Sequence, residues 1–258
     1  MKHIFFKTSI YIFTAMLIIA MASCENNTSH KREAESATIK TQEKQQPQEE
    51  WVSLFDGKTS AGWHAYGKKG FPEKGWIIKD GVLQVQGSGK GEAGGGGDII
   101  TNKKYKNFEL SLEWKVSEGG NSGIFYLVQE KEGQPIWKSA PEMQILDNEK
   151  HPDGKLGVNG NRRAGALYDL IPCRPETVKP VGEWNHVKVM VYKGTVVHWM
   201  NGQNVLEYHL WTDDWKTMVG NSKFKDYPDF VDPAVEGYIG LQDHGDDVWF
   251  RNIKIREL

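Results

Sequence analysis

Glycine and tryptophan are absent from the first fifty residues of this 258-residue chain, and cysteine is nearly absent from all of it. The two cysteines, Cys24 and Cys173, cannot build a disulfide scaffold or a four-thiolate zinc site. A basic excess is also lacking: 32 Lys+Arg stand against 34 Asp+Glu, a net charge of −2, which argues against a nucleic-acid partner. Residues 1–50 hold equal numbers of acidic and basic side chains, so the mild acidity belongs to the rest. Beyond one run near the N-terminus there is no long apolar stretch, which excludes a chain crossing a membrane repeatedly. His-x-x-x-His, an EF-hand loop and G-x-S-x-G are all missing. The glycine run Gly94–Gly97 is not followed by GK[ST], so it is no phosphate loop.

The N-terminus reads as an address. Lys2 and Lys7 precede an apolar run from Ile10 to Ala22, and Met21-Ala22-Ser23-Cys24 follows the pattern of a lipobox with Met in place of Leu. Residues 1–23 are therefore expected to be a lipoprotein signal, with Cys24 as the lipidated residue; more than one acyl chain makes such anchoring stable. Residues 24–50, rich in Glu, Lys, Gln, Ser and Thr, are expected to be a tether that cannot bury a core. Membrane contact is then by the lipid anchor only. Cys173 is left alone and reads as a small buried residue.

All 28 Gly and all 10 Trp lie in 51–258, as a turn-rich, aromatic β protein requires. Trp76-Ile77-Ile78 and Val82-Leu83-Gln84-Val85 flank the hairpin signal Asp80-Gly81. Alternation recurs over Phe108–Val116, Gly123–Gln129, Glu142–Leu146, Trp184–Tyr192, Thr195–Met200, Gln203–Tyr208, Tyr238–Gln242 and Val248–Ile255. Only Trp211–Met218 suggests a helix. The expectation is an all-β antiparallel sandwich or barrel. Glu142 and Gln144 share one strand face, which suits a concave polar groove better than a core.

Several clusters can carry chemistry. Glu142, Gln144, Asp147, Asn148, His151 and Asp153 crowd one stretch that could supply an acid and a base, or ligands to a metal; it reads equally well as a wet strand running into a polar loop. Asp243-His244-Gly245-Asp246-Asp247 lies between two strands, where Asp243 could orient His244 as a base or simply form an Asx turn. Arg162 and Arg163 could clamp hydroxyls or stay solvated. Trp63, Trp76, Trp114, Trp184 and Trp249 sit in core-like patterns and read as packing, whereas Trp137 and Trp215 fall in polar surroundings and could be sugar platforms.

Short motifs follow one another from Trp51-Val52-Ser53-Leu54-Phe55-Asp56-Gly57-Lys58-Thr59 through Gly119-Gly120-Asn121-Ser122-Gly123, Pro141-Glu142-Met143-Gln144 and Arg163-Ala164-Gly165-Ala166-Leu167-Tyr168-Asp169. They continue at His198-Trp199-Met200-Asn201-Gly202, Ser222-Lys223-Phe224 and Gly240-Leu241-Gln242-Asp243-His244-Gly245. Taken in order, these motifs resemble the 3-keto-disaccharide hydrolase domain family. The resemblance implies a concanavalin-like jelly roll and an exported bacterial lipoprotein of the periplasm or outer membrane. The implied substrate is a keto-sugar glycoside with its ketone at C3. The chemistry it implies is C2 proton abstraction, loss of the C1 substituent and hydration. Glu142 and His244 are then expected as acid and base, helped by Asp147 or Asp169. Asn121, Gln144, Arg163, Lys223, Gln242, Asp243 and Trp137 are expected to bind substrate or steady the enolate. No cofactor is expected, although a divalent metal at the ketone stays open. An ordinary pair of glycosidase carboxylates is an alternative mechanism. The rival from another class is a non-catalytic, lipid-anchored carbohydrate-binding module.

Overall fold

In the computed structural model the described residues are 50–91 and 94–258. The expected signal, tether and lipidated Cys24 lie outside them. The alternating runs pair into two antiparallel sheets. The larger joins β1 (Val52–Ser53), β3 (Trp76–Lys79), β4 (Val82–Val85), β6 (Phe108–Val116), β9 (Asn185–Tyr192), β10 (Thr195–Met200), β11 (Gln203–His209) and β13 (Val248–Glu257). Its order is β11-β10-β9-β6-β13-β4-β3, with β1 also paired to β13. The smaller sheet, β2-β5-β12-β7-β8, joins β2 (Trp63–Ala65), β5 (Ile99–Thr101), β7 (Asn121–Val128), β8 (Glu142–Leu146) and β12 (Tyr238–Leu241). Strands that return from one sheet to the other make the expected jelly-roll-type sandwich. Among the described residues no helix is long and apolar enough to cross a membrane.

One face of each sheet closes the core. Trp114, Leu110 and Phe250 come from the larger sheet, and Ile124, Ile145 and Leu241 from the smaller. A buried polar chain bridges the two. The Gly165 carbonyl can only accept, so His198 Nδ1 donates to it (3.2 Å) and His198 Nε2 accepts from Tyr126 Oη (2.8 Å). Tyr126 Oη in turn accepts from Tyr208 Oη at 2.7 Å. Burial pushes the His198 imidazole down to about 4, so it stays neutral.

Two elements depart from the sequence reading. Trp215 is no sugar platform: it lies in α1 (Asp213–Gly220), 1% exposed, with its Nε1 donating to the Val231 carbonyl at 2.9 Å. It stacks between Tyr208 (centroids 5.5 Å apart) and Phe230 (5.9 Å) of the short α2 (Pro228–Val231), and Phe224 stacks on Phe230 at 4.0 Å. Polar neighbours in sequence misled because they occupy the other side of α1. Conversely, Trp184 and Trp249 are not core: their rings face Lys115 and Arg251 on the outer face of the larger sheet. Cys173 is free and buried, as expected.

Candidate active site

The outer face of the smaller sheet carries the polar residues. Alternation turns Ile124 and Tyr126 of β7 inward, so Asn121 and Gly123 face out, beside Glu142 of β8 and Gln242 just past β12. Three covers rise over this face: the 3-10 turn Ile136–Lys138, a loop that holds Asp153 and Tyr168, and the segment from α1 to α2. They enclose a pocket of about 310 Å³ lined by Asn121, Trp137, Glu142, Asp153, Tyr168, Lys223, Phe224, Tyr227, Gln242 and His244.

Glu142 is fixed by sequence at two levels. The strand pairs Phe125 with Glu142 and Gly123 with Gln144, which brings the carboxylate diagonally over Gly123. A Cβ built on Gly123 would overlap Glu142 Oε1, so glycine makes the room the carboxylate occupies.

The lining is chemically mixed. Trp137, Tyr168, Phe224 and Tyr227 give an aromatic wall, with Trp137 and Tyr227 edge to face at 5.4 Å. Lys223 Nζ sits over the Tyr168 ring at 4.2 Å and 3.9 Å from Asp169 Oδ2. Burial lowers its ammonium pKa, and Asp169 works the other way. Tyr168 donates its hydroxyl to Asp153 Oδ2 at 2.8 Å, and burial together with that bond raises its pKa strongly. Three buried polar atoms of the lining have no hydrogen-bond partner: Asn121 Oδ1, Gln242 Oε1 and Trp137 Nε1. Leaving such groups unpaired costs about 1–3 kcal/mol each. Two acceptors and one donor, beside flat apolar rings, complement the hydroxyls and C–H faces of a sugar.

Six expected residues thus meet in one pocket: Glu142, His244, Asn121, Lys223, Gln242 and Trp137. The other five lie outside its lining. Asp147 accepts the backbone N–H of Gly119 (2.7 Å), Glu149 (3.1 Å) and Lys150 (3.3 Å). Burial opposes its ionisation, but those donors win and hold its carboxyl below the ordinary value. Asp243 is fully buried and accepts from Gly96 and Gly97 N–H at 2.8 and 3.0 Å, tying the glycine run to the β12–β13 loop. Gly94 is glycine for the same reason, since a Cβ there would meet the Asp243 carboxylate. Gln144 is covered by the 160–171 segment, whose Gly165 N–H donates to its carbonyl at 2.8 Å. Arg163 pairs with Glu149 (3.1 Å) and Glu176 (3.0 Å). Arg162 takes the place by the pocket, bonded to Asp169 and 3.5 Å from Asp153 Oδ1. Asp169 therefore stands behind the lining, between Arg162 and Lys223.

Asp153, Tyr168, Phe224 and Tyr227 complete the pocket without having been assigned a role in it. Asp153 and Phe224 lay in segments marked as polar or familiar. Tyr227 gave no signal: it precedes the short α2, and its ring meets Trp137 across the pocket wall.

His151, His244 and Asp246 each offer a ligand atom, all within 4.8 Å of one another, so these three are the described residues able to hold a metal. Burial lowers the His151 pKa and raises that of Asp246.

Comparison with known proteins now decides the family. The profile for the 3-keto-α-glucoside-1,2-lyase-like domain matches residues 50–256. The chain belongs to this family. A Bacteroides thetaiotaomicron protein named 3-keto-disaccharide hydrolase is 54% identical over 228 residues, covering 81% of this chain and 78% of that one. A crystal structure of a candidate glycosyl hydrolase from Parabacteroides distasonis superposes with a TM-score of 0.71 at 33% identity, over 81% of this chain and 94% of the other. A second from that organism gives 0.64 at 30% identity, over 81% and 100%. The expectations of this family, of an all-β sandwich and of a glycosidase-class enzyme are met.

Proposed function

We propose that this protein cleaves 3-keto-glycosides by elimination and rehydration. The observation that carries the reading is the meeting of Glu142 and His244 in one pocket with three unpaired hydrogen-bonding atoms and an aromatic wall. The family description, a 1,2-lyase, and the name of the Bacteroides relative support the keto-sugar. A ketone at C3 acidifies the C2 proton. Removal of that proton by Glu142 or His244 gives an enolate, and the C1–O bond then breaks with its electron pair leaving on oxygen. The other member of the pair protonates that oxygen. Water adds at C1 and a proton returns to C2, so the net reaction is hydrolysis. Lys223 is placed to offer positive charge to the enolate oxygen. Asn121 and Gln242 accept sugar hydroxyls, and Trp137 donates to one. Asp169 holds Lys223 from behind.

Glu142→Gln keeps the shape and removes the proton-transfer group. Turnover of 3-keto-trehalose should fall by about 10²–10⁴-fold with the melting temperature unchanged. Unchanged turnover removes Glu142 from the mechanism. Sugar binding without turnover in the unaltered protein would favour the carbohydrate-binding module instead.

Export and anchoring through Cys24 belong to the same proposal, supported by the lipobox-like Met21-Ala22-Ser23-Cys24. Cys24→Ala should move the protein to the soluble fraction; retention at the membrane contradicts the anchor.

A further inference from the structure

The loop between β12 and β13 carries three carboxylates around His244, and two of them have other duties. Asp243 accepts from the glycine run, and Asp247 Oδ1 accepts the Gly87 N–H at 2.9 Å. Asp246 is the third. Its Oδ2 accepts the Asn121 N–H at 3.1 Å and lies 3.9 Å from His244 Nδ1. His151 closes the group, its ring centroid 5.9 Å from that of His244 and the planes at 81°. Only His244 of these three lines the pocket.

The sense of one hydrogen bond indicates what the group is for. The Asp153 N–H donates to His151 Nδ1 at 3.2 Å, so Nδ1 carries the lone pair and the proton of the neutral ring sits on Nε2. A metal-binding histidine does the reverse: its second nitrogen donates to a neighbour. His151 therefore has its ring proton on Nε2, and the Asp246 carboxylate lies within 4.8 Å of a ring nitrogen of each histidine.

Building on the pocket reading above, we propose that Asp246, held by the Asn121 amide and flanked by His151, is a positioning residue that keeps the His244 proton on Nδ1 and turns the Nε2 lone pair toward the substrate. Asp246 and His151 touch no substrate themselves. They make His244 a base of defined orientation, the role that adjacency in sequence suggests for Asp243. The 3.9 Å separation tightens when the substrate excludes water, as catalytic bonds commonly do on binding.

The test uses the full chain with ¹⁵N-labelled histidine. Long-range ¹H–¹⁵N spectra should show Nδ1–H with a bare Nε2 at His244, and Nε2–H at His151. Asp246→Asn should lose the His244 pattern and cut kcat for a 3-keto-glycoside by about 10²–10⁴-fold, with KM nearly unchanged. Asp246→Glu should recover part of kcat. The proposal is overturned by a proton on His244 Nε2 in the unaltered protein, or by Asp246→Asn retaining kcat. It is equally overturned if the loss lies in KM and melting temperature alone. A stoichiometric divalent ion whose removal by EDTA shifts the His244 signals overturns it as well. If the unaltered protein leaves keto-glycosides untouched while both tautomers are as stated, the keto-glycosidase reading fails and the positioning of His244 stands.

Discussion

Glu142 reaches the pocket because residue 123 has no side chain. A methyl group there overlaps the carboxylate, so Gly123→Ala should displace Glu142 while leaving the strand paired. A shift of about 1 Å in a reacting group costs about 10²-fold in rate. Steady-state kinetics on a keto-glycoside, with circular dichroism as the control for folding, should show that loss; full activity would mean that the carboxylate position is not critical. At this scale the sequence was legible where alternation sets direction, as for Glu142. It failed where a carboxylate is consumed by backbone amides. Nothing in the order of Asp243 and Asp246 reveals that the first serves a glycine run 146 and 147 residues earlier and the second faces the histidines. Arg162 and Arg163 differ for the same reason: the turn around them, not their type, decides which one meets Asp169.

The elements divide into a rigid sheet and covers held by side-chain packing. The column Tyr208–Trp215–Phe230–Phe224 pins the segment that delivers Lys223, Phe224 and Tyr227 to the pocket. Each stacked pair contributes about 0.5–1.5 kcal/mol beyond its buried area. Trp215→Ala should therefore cost about 3–5 kcal/mol in chemical denaturation. It should also raise KM for a keto-glycoside, because one wall of the pocket rests on it. Unaltered KM in the folded variant would show that the segment is held by other means. The strands were readable from period-2 alternation, and α1 from its short helical run. The covers were not, because α2 spans only Pro228–Val231 and two 3-10 turns have too few residues to show a period.

At the scale of the molecule, the two sheets are joined by apolar packing and by the His198–Tyr126–Tyr208 chain. His198 has an ordinary pKa of 6.5 that burial lowers to about 4. Between those values the unfolded chain binds a proton that the folded one refuses, so stability is intact above pH 6.5 and is lost as pH falls toward 4. The loss amounts to as much as about 3 kcal/mol. Denaturation at several pH values should show that slope in the unaltered protein and its absence in His198→Gln. An equal slope in both would assign the acid sensitivity to other groups. The sandwich itself was legible in the sequence, since many short alternating strands with turns between them admit few architectures. Which sheet face would carry a pocket was legible only through Glu142 and Gln144, and Gln144 proved to be roofed by the 160–171 segment.

The central claim is that the C2 proton of a 3-keto-glycoside leaves before the glycosidic bond breaks. Cleavage of 3-keto-trehalose in D₂O, beside unoxidised trehalose, tests it most directly. The account predicts that only the keto-sugar is cleaved and that the released 3-keto-glucose carries deuterium at C2. Cleavage of both sugars, or product that keeps its original C2 hydrogen after control for solvent exchange, would contradict it.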